Sequence, residues 1–220
     1  MMNKKQKIKV VVLSDTHDRI CAVPDGDILV HAGDLTMMGR PNQVMAAAEW
    51  LRGLPHPHKI VIAGNHDWLF QTNPRMARSL LGDGITYLEN EGCEVMGLKF
   101  WGSPVTPTFF DWAFNVDRGA PIRKYWGNIP AGLDMLITHG PPHGILDQSV
   151  PHSNYEHCGC DDLLTAVQEK KPHIHVFGHI HGGRGMYAND DTIFYNASIV
   201  DEAYKVAHDP WVITFEKEGK

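Results

Sequence analysis

Short apolar runs punctuate the chain and set its architecture. Lys7–Leu13, Asp27–Ala32, Lys59–Ala63, Asp134–Thr138 and His173–Phe177 are rich in Val, Ile and Leu and read as buried strands. Thr192–Asn196 and Trp211–Phe215 complete the sheets. Pro41–Leu54 predicts a helix, with proline in its first turn and a stripe of Val44, Ala47, Ala48 and Leu51; Met45 and Trp50 read as packing. Asn73-Pro74 opens a second helix that Gly82 ends, and Asp161–Lys171 is a third, with Pro172 past its end. Strand, helix and strand in that order is the pattern of a largely parallel sheet. From Ile85 to Ser103 the texture changes to Ile85–Leu88, Cys93–Met96 and Leu98–Trp101, divided by Gly92 and Gly97, which predicts hairpin elements of a second sheet. Pro104–Pro130 has no clear period and is dense in aromatics, among them Phe109 and Trp112. It reads either as a packed excursion or as a substrate-side loop.

Polar clusters stand where the strands end, and open sheets place their sites beyond the carboxyl ends of their strands. Asp15-Thr16-His17 follows the first run; alternation along a strand puts Asp15 and His17 on one side and Thr16 on the other. Gly33-Asp34 closes the second run, with Gly33 letting the backbone approach a ligand and Asp34 placed to bridge two metal ions. Gly64-Asn65-His66-Asp67, His139 and Gly178-His179-Ile180-His181 follow the later runs. Each piece alone has a plain reading, since Gly-Asn after a strand is ordinary turn chemistry. His31 lies inside its strand and reads as a hydrogen-bonded group, structural or supporting a ligand, while His173 and His175 lie at a strand's start, away from the other clusters, and read as structural. His143 lines a rim or is exposed, and His152 and His157 carry little signal. Arg118 offers planar donors suited to a phosphate, with a surface salt bridge as the competing reading.

Composition narrows the classes. At 220 residues and 43% hydrophobic, the chain can fold as one domain spanning 1–220, with 104–130 as an insertion. A net charge of −6 argues against long nucleic acids as partners, and Lys4-Lys5-Gln6-Lys7 reads as a solvated tail. The start is a poor signal peptide, no stretch suits a bilayer, and the four cysteines follow no disulfide framework. The expectation is a cytoplasmic protein with reduced thiols and no membrane partner. Fourteen histidines strengthen the case for metal.

Taken in order, D-x-H, G-D, G-N-H-D, H and G-H-x-H resemble the motif series of the calcineurin-like metallophosphoesterases, over about residues 8 to 200. The segments around His139 and Trp112 look like the brain-type metallophosphoesterase-domain subgroup. Some members of that subgroup carry Gly in place of the first His of the last motif. This chain keeps His179, which implies a full second metal site. The resemblance implies an α/β fold of two mixed β-sheets in a sandwich flanked by helices. It implies one metal held by Asp15, His17, Asp34 and His181 and a second by Asp34, Asn65, His139 and His179. His66 would act as proton donor to the leaving oxygen, with Asp67 orienting its ring. Two such cations can activate a bridging water for in-line attack on phosphorus. Mn is favoured by the resemblance, while the His-rich donor set also suits Fe, Co, Ni or Zn.

The leading expectation is a metal-dependent phosphodiesterase for a small phosphoester, with cyclic nucleotides, the 2′,3′-cyclic type first, as candidates. Phe109, Trp112, Arg118 and His143 are its candidate substrate contacts, aromatics suiting a stacked base. A phosphomonoesterase with the same metals is the nearest alternative. A non-catalytic scaffold is the other, disfavoured because every ligand position is filled.

Overall fold

Where each apolar run goes is decided by whether one or both of its faces must be covered. The computed structural model describes residues 5–149 and 157–218; Lys4 and His152 lie outside the described residues. β1 (Lys5–Leu13), β2 (Ile28–Ala32) and β3 (His58–Ile62) run parallel, with α1 (Pro41–Gly53) crossing between β2 and β3. Val44, Ala48 and Leu51 form the buried face of α1. α2 (Trp68–Thr72) and α3 (Pro74–Leu81) follow; Asn73 caps α3 by accepting the Met76 N–H at 3.2 Å, and Gly82 ends it.

β4 (Thr86–Tyr87) pairs with β3 and so belongs to the first sheet, a correction to the expected hairpin strand. Burial decides this, because Tyr87 packs on Phe70 with ring centroids 4.7 Å apart. The hairpin is β5 (Glu91–Val95) with β6 (Leu98–Ser103). The aperiodic stretch holds β7 (Thr106–Pro107), β8 (Asn115–Val116) and α4 (Ala120–Trp126). Ile122 and Trp126, four residues apart and both buried, carry the helical signal there; tertiary packing supplies what so short a helix lacks alone. β9 (Met135–Thr138), α5 (Asp161–Lys170), β10 (Ile174–Phe177), β11 (Gly185–Ala188), β12 (Ile193–Asn196) and β13 (Trp211–Glu218) complete the elements.

The first sheet has the order β13-β1-β2-β3-β4 and the second β11-β12-β10-β9-β6-β5, with antiparallel pairs only where β13, β11 and β5 join. Alternate residues sort into layers. Val10, Val12, Ile60 and Ile62 meet Phe100, Ile137 and Val176 between the sheets. Val11, Leu13 and Val61 face α1 and α3, while Leu136 and Phe177 face α4 and α5. The family-implied sandwich of two mixed sheets between helices is therefore observed. The carboxyl ends of the parallel strands converge at one edge. There Ser14, past β1, donates its N–H to Ala197 O at 2.9 Å and accepts the Ile199 N–H at 3.1 Å, stitching one sheet to the other.

A Cβ added at Gly102 would stand 2.7 Å from Ile62 Cγ2 and 2.8 Å from Leu88 Cβ. Gly102→Ala is expected to lower stability by about 1–3 kcal/mol through overpacking. Urea unfolding measures this; an unchanged midpoint would contradict the close sheet-to-sheet contact.

Candidate metal centre

The strand ends do not continue as strands. Asp15 (φ 58°), His17 (φ 45°), Asp34 (φ 54°) and His179 (φ 67°) all adopt left-handed backbone. In non-glycine residues such conformations cost about 1–3 kcal/mol each and persist only where surroundings impose them. Bonds between loops impose them here. The N–H groups of Asp15, His17 and Asp18 donate to Gly33 O, Asp34 O and Leu35 O at 2.9, 3.0 and 3.1 Å. The His179 N–H lies 3.0 and 3.1 Å from the two Asp15 oxygens. Asp15 and His17 thus reach the same side by turning, not by strand alternation, and Thr16 points away as expected. Two glycines make room. Gly33 has φ +98°, and a Cβ on Gly64 would overlap the Asp34 carboxylate and the His139 ring.

Asp34 stands between two donor sets. Its Oδ1 accepts the His66 N–H at 2.8 Å, while Oδ2 lies 3.6 Å from His17 Nε2 and 3.3 Å from His139 Nε2. On one side, donor atoms of Asp15, His17 and His181 lie within 4.8 Å of one another; on the other, those of Asp34, His139 and His179 do. Asn65 Oδ1 is 2.8 Å from His139 Nε2. His17, Asp34 and His66 form a third grouping that shares its first two members with the others.

Ring tautomers test whether cations fit. His139 Nδ1 is 3.0 Å from Ala32 O and His181 Nδ1 is 3.2 Å from Asp201 O. A carbonyl only accepts, so each Nδ1 carries a proton and Nε2 is the nitrogen that a cation would take on losing its proton. Burial pushes His17 and His179 down to about 4, leaving them neutral, the form that binds metal. For His139, burial is outweighed by the Asp34 carboxylate, which lifts the ring to about 9. Burial also opposes ionisation of Asp34, yet His139 and His17 hold it well below the usual carboxylate range. Ring Nε2 atoms and oxygens therefore face one another across gaps of 2.8–3.7 Å, with the His139 proton standing where a cation would sit. Neighbouring donors around a first-row divalent ion stand about 3–3.5 Å apart. The donor set fits two such ions.

His66 is oriented otherwise than the sequence implied. Its Nδ1 lies 2.8 Å from Met37 O, and Trp112 lies alongside with ring centroids 4.3 Å apart. Asp67 does not hold the ring. Its Oδ1 accepts Thr36 N–H and Thr36 Oγ1–H at 2.9 and 2.6 Å, and its Oδ2 accepts Leu35 N–H and Gly64 N–H at 3.1 and 2.8 Å. Burial, then Asp34, pushes this carboxyl up to about 6 against those four donors. Asp67 ties the second ligand loop to the third, and the Met37 carbonyl takes the role expected of it.

Above the ligands opens a cavity of about 580 Å³, whose wall includes Phe109, Phe110, Trp112, Arg118 and Tyr204. Phe109 and Phe110 are 63% and 79% exposed at its mouth. Arg118 reaches the wall with its charge engaged: it donates to Gly159 O at 2.8 Å and Cys158 O at 3.2 Å and lies 3.5 Å from Asp161. The competing salt-bridge reading of this arginine is thus observed. His143 pairs with Asp161 at 3.5 Å, and His157 takes the place on the cavity wall instead. Sequence reading missed Tyr204, whose ring lies 4.8, 5.1 and 6.2 Å from those of His17, His181 and His66. No motif marks it; it sits on a turn at φ 57° that only the fold brings here.

A family model described as calcineurin-like phosphoesterase matches residues 8–183. Metallophosphoesterase domain-containing protein 1 of Homo sapiens is 40% identical over 231 residues, covering 93% of this chain and 70% of that protein. A UPF0046 protein of Caenorhabditis elegans is 37% identical over 226 residues, covering 94% and 80%. TT1561 of Thermus thermophilus superposes with a TM-score of 0.60 at 12% identity, over 87% of this chain and 89% of that one, a likeness of fold alone.

Asp67→Asn turns an amide N–H against backbone donors. It is expected to cost about 1–3 kcal/mol in the metal-free protein. Unchanged thermal unfolding would contradict the loop-tying role.

Proposed function

Because the chain belongs to the calcineurin-like phosphoesterase family, we propose that it hydrolyses small phosphodiesters, cyclic nucleotides first and the 2′,3′-cyclic type among them. The observation that carries this reading is Asp34, one carboxylate set between two donor sets beneath the aromatic cavity. Asp15, His17, Asp34 and His181 would hold one divalent cation and Asp34, Asn65, His139 and His179 the other, Mn being preferred. Such a pair supplies Lewis acidity to the phosphoryl oxygens and lowers the pKa of water at the site.

The remaining work falls to the chain. Asn65 adds a neutral oxygen to the donors, so Asp15 and Asp34 alone bring carboxylate charge to the ligand set. With its Nδ1–H committed to Met37 O, the imidazolium form of His66 would give its Nε2 proton to the leaving oxygen and remain as the neutral Nδ1–H ring. Trp112 fixes the plane of that ring. Phe109 and Phe110, exposed at the mouth, suit stacking on a planar base. Arg118 shapes the wall through the 158–161 segment, and its carbonyl and carboxylate partners make it a poor phosphate clamp. The reading takes 1–220 as a single domain with 104–130 as its substrate-side insertion. We place the protein in the cytoplasm, a reading supported by four cysteines whose spacing follows no disulfide framework. Among the described residues no helix is long and apolar enough to cross a membrane.

His66→Ala is expected to leave metal content nearly intact and to cut turnover of alkyl-leaving-group diesters by about 10²–10⁴-fold, with less effect on aryl esters. Equal turnover of the alkyl ester by mutant and wild type would remove His66 as donor. Asp34→Asn should lose most bound metal and most activity, measured by elemental analysis beside a turnover assay. With Mn loaded, bis-aryl phosphate should be hydrolysed faster than mono-aryl phosphate; the reverse order favours the phosphomonoesterase.

A further inference from the structure

Two buried histidines outside the ligand set occupy matching places, one in each sheet. His31 lies on β2 and His175 on β10, both fully buried. Each meets a threonine beside a candidate ligand: His31 Nε2 is 3.0 Å from Thr16 Oγ1, and His175 Nε2 is 2.8 Å from Thr138 Oγ1. Each hydroxyl in turn donates to a carbonyl just past a ligand. Thr138 donates to Gly140 O at 2.7 Å, and Thr16 to Leu35 O at 3.1 Å. The other ring nitrogen, Nδ1, has no hydrogen-bond partner in either case among the described residues.

Proton accounting gives these chains a direction. Burial pushes both rings down to about 3, with nearby carboxylates only partly opposing this at His31, so each ring is neutral and carries one proton. The carbonyl only accepts, which commits the hydroxyl proton to it. The hydroxyl oxygen must then accept from the ring, so the proton sits on Nε2. The reverse arrangement would strand a buried N–H donor at Nδ1, whereas this one leaves only an unpaired acceptor, the milder cost.

We infer that His31 and His175 are positioning residues for the metal ligands, each donating Nε2–H through a threonine hydroxyl to fix a ligand-bearing turn. The inference rests on reading the strand ends as a metal centre. Thr16 lies between Asp15 and His17 and ties them to the carbonyl after Asp34. Thr138 precedes His139 and ties its turn across to Gly140. Both relays brace turns that carry ligands, and the first braces three left-handed residues. A nonpolar ring of similar shape would fill the same core space without donating, so packing alone does not require histidine at either place.

The test uses the full chain. In ¹⁵N–¹H spectra of the histidine rings in chelator-treated protein, His31 and His175 are expected as Nε2–H tautomers; Nδ1–H tautomers overturn the relays. In Mn titrations followed by calorimetry, His175→Phe and Thr138→Val should each weaken binding about tenfold. The double variant should be no weaker than either single one, because one chain is broken in all three. His175→Gln, whose amide can donate from a similar position, should recover most of the loss. Equal Mn affinity in wild type and a folded His175→Phe overturns the inference. Wild type that takes up no Mn defeats the metal-centre reading instead, and the tautomers then decide the relays alone. If His175→Phe fails to fold, Thr138→Val against Thr138→Ser gives the same comparison.

Discussion

A left-handed turn at the end of a buried strand is the constraint on which the rest of this structure depends. Asp15, His17, Asp34 and His179 each adopt a backbone that a side chain disfavours, and together they place their donors over one edge of the sandwich. Such turns persist only where the surroundings impose them. They hold because neighbouring loops hydrogen-bond to one another: β1's to β2's within the first sheet, and His179 to Asp15 across the sheet junction. The Ser14 stitch to Ala197 and Ile199 makes that crossing possible. Packing between the sheets therefore serves chemistry directly, since separating them would separate the two donor sets.

Electrostatics explains why such a crowded edge is tolerable. Two ionised carboxylates and an amide oxygen would repel one another if left alone, and in the metal-free protein the protonated His139 ring offsets part of that charge. Asp34 relieves part of this by dividing its oxygens, one to the His66 N–H and one to the cleft. Asp67 takes no share of the cleft, being surrounded by donors of its own. What remains is a cluster that positive charge completes.

Much of this was legible in sequence, and what was not has physical reasons. The candidate ligands stand directly behind apolar runs, so buried strands locate them before any fold is known. Their convergence was implied by the ordered motifs, not by any one of them. β4 was assigned to the wrong sheet because two residues carry no register; Tyr87 finds its place by packing on Phe70. The family resemblance implied that Asp67 orients His66, yet neighbouring residues project differently, and the Met37 carbonyl holds the ring. Tyr204 had no signal at all, because its turn meets the histidine rings only in three dimensions. His31 reads from sequence as a hydrogen-bonded group and His175 as structural, while their threonine partners and the carbonyls beyond are visible only in the fold.

The central claim is that Asp34 joins two cation sites, and a crystal of the Mn-loaded protein tests it most directly. Anomalous scattering at the Mn edge should give two peaks about 3.5–4 Å apart, one on each side of the Asp34 carboxylate. A single peak, or peaks away from Asp34, would contradict the account.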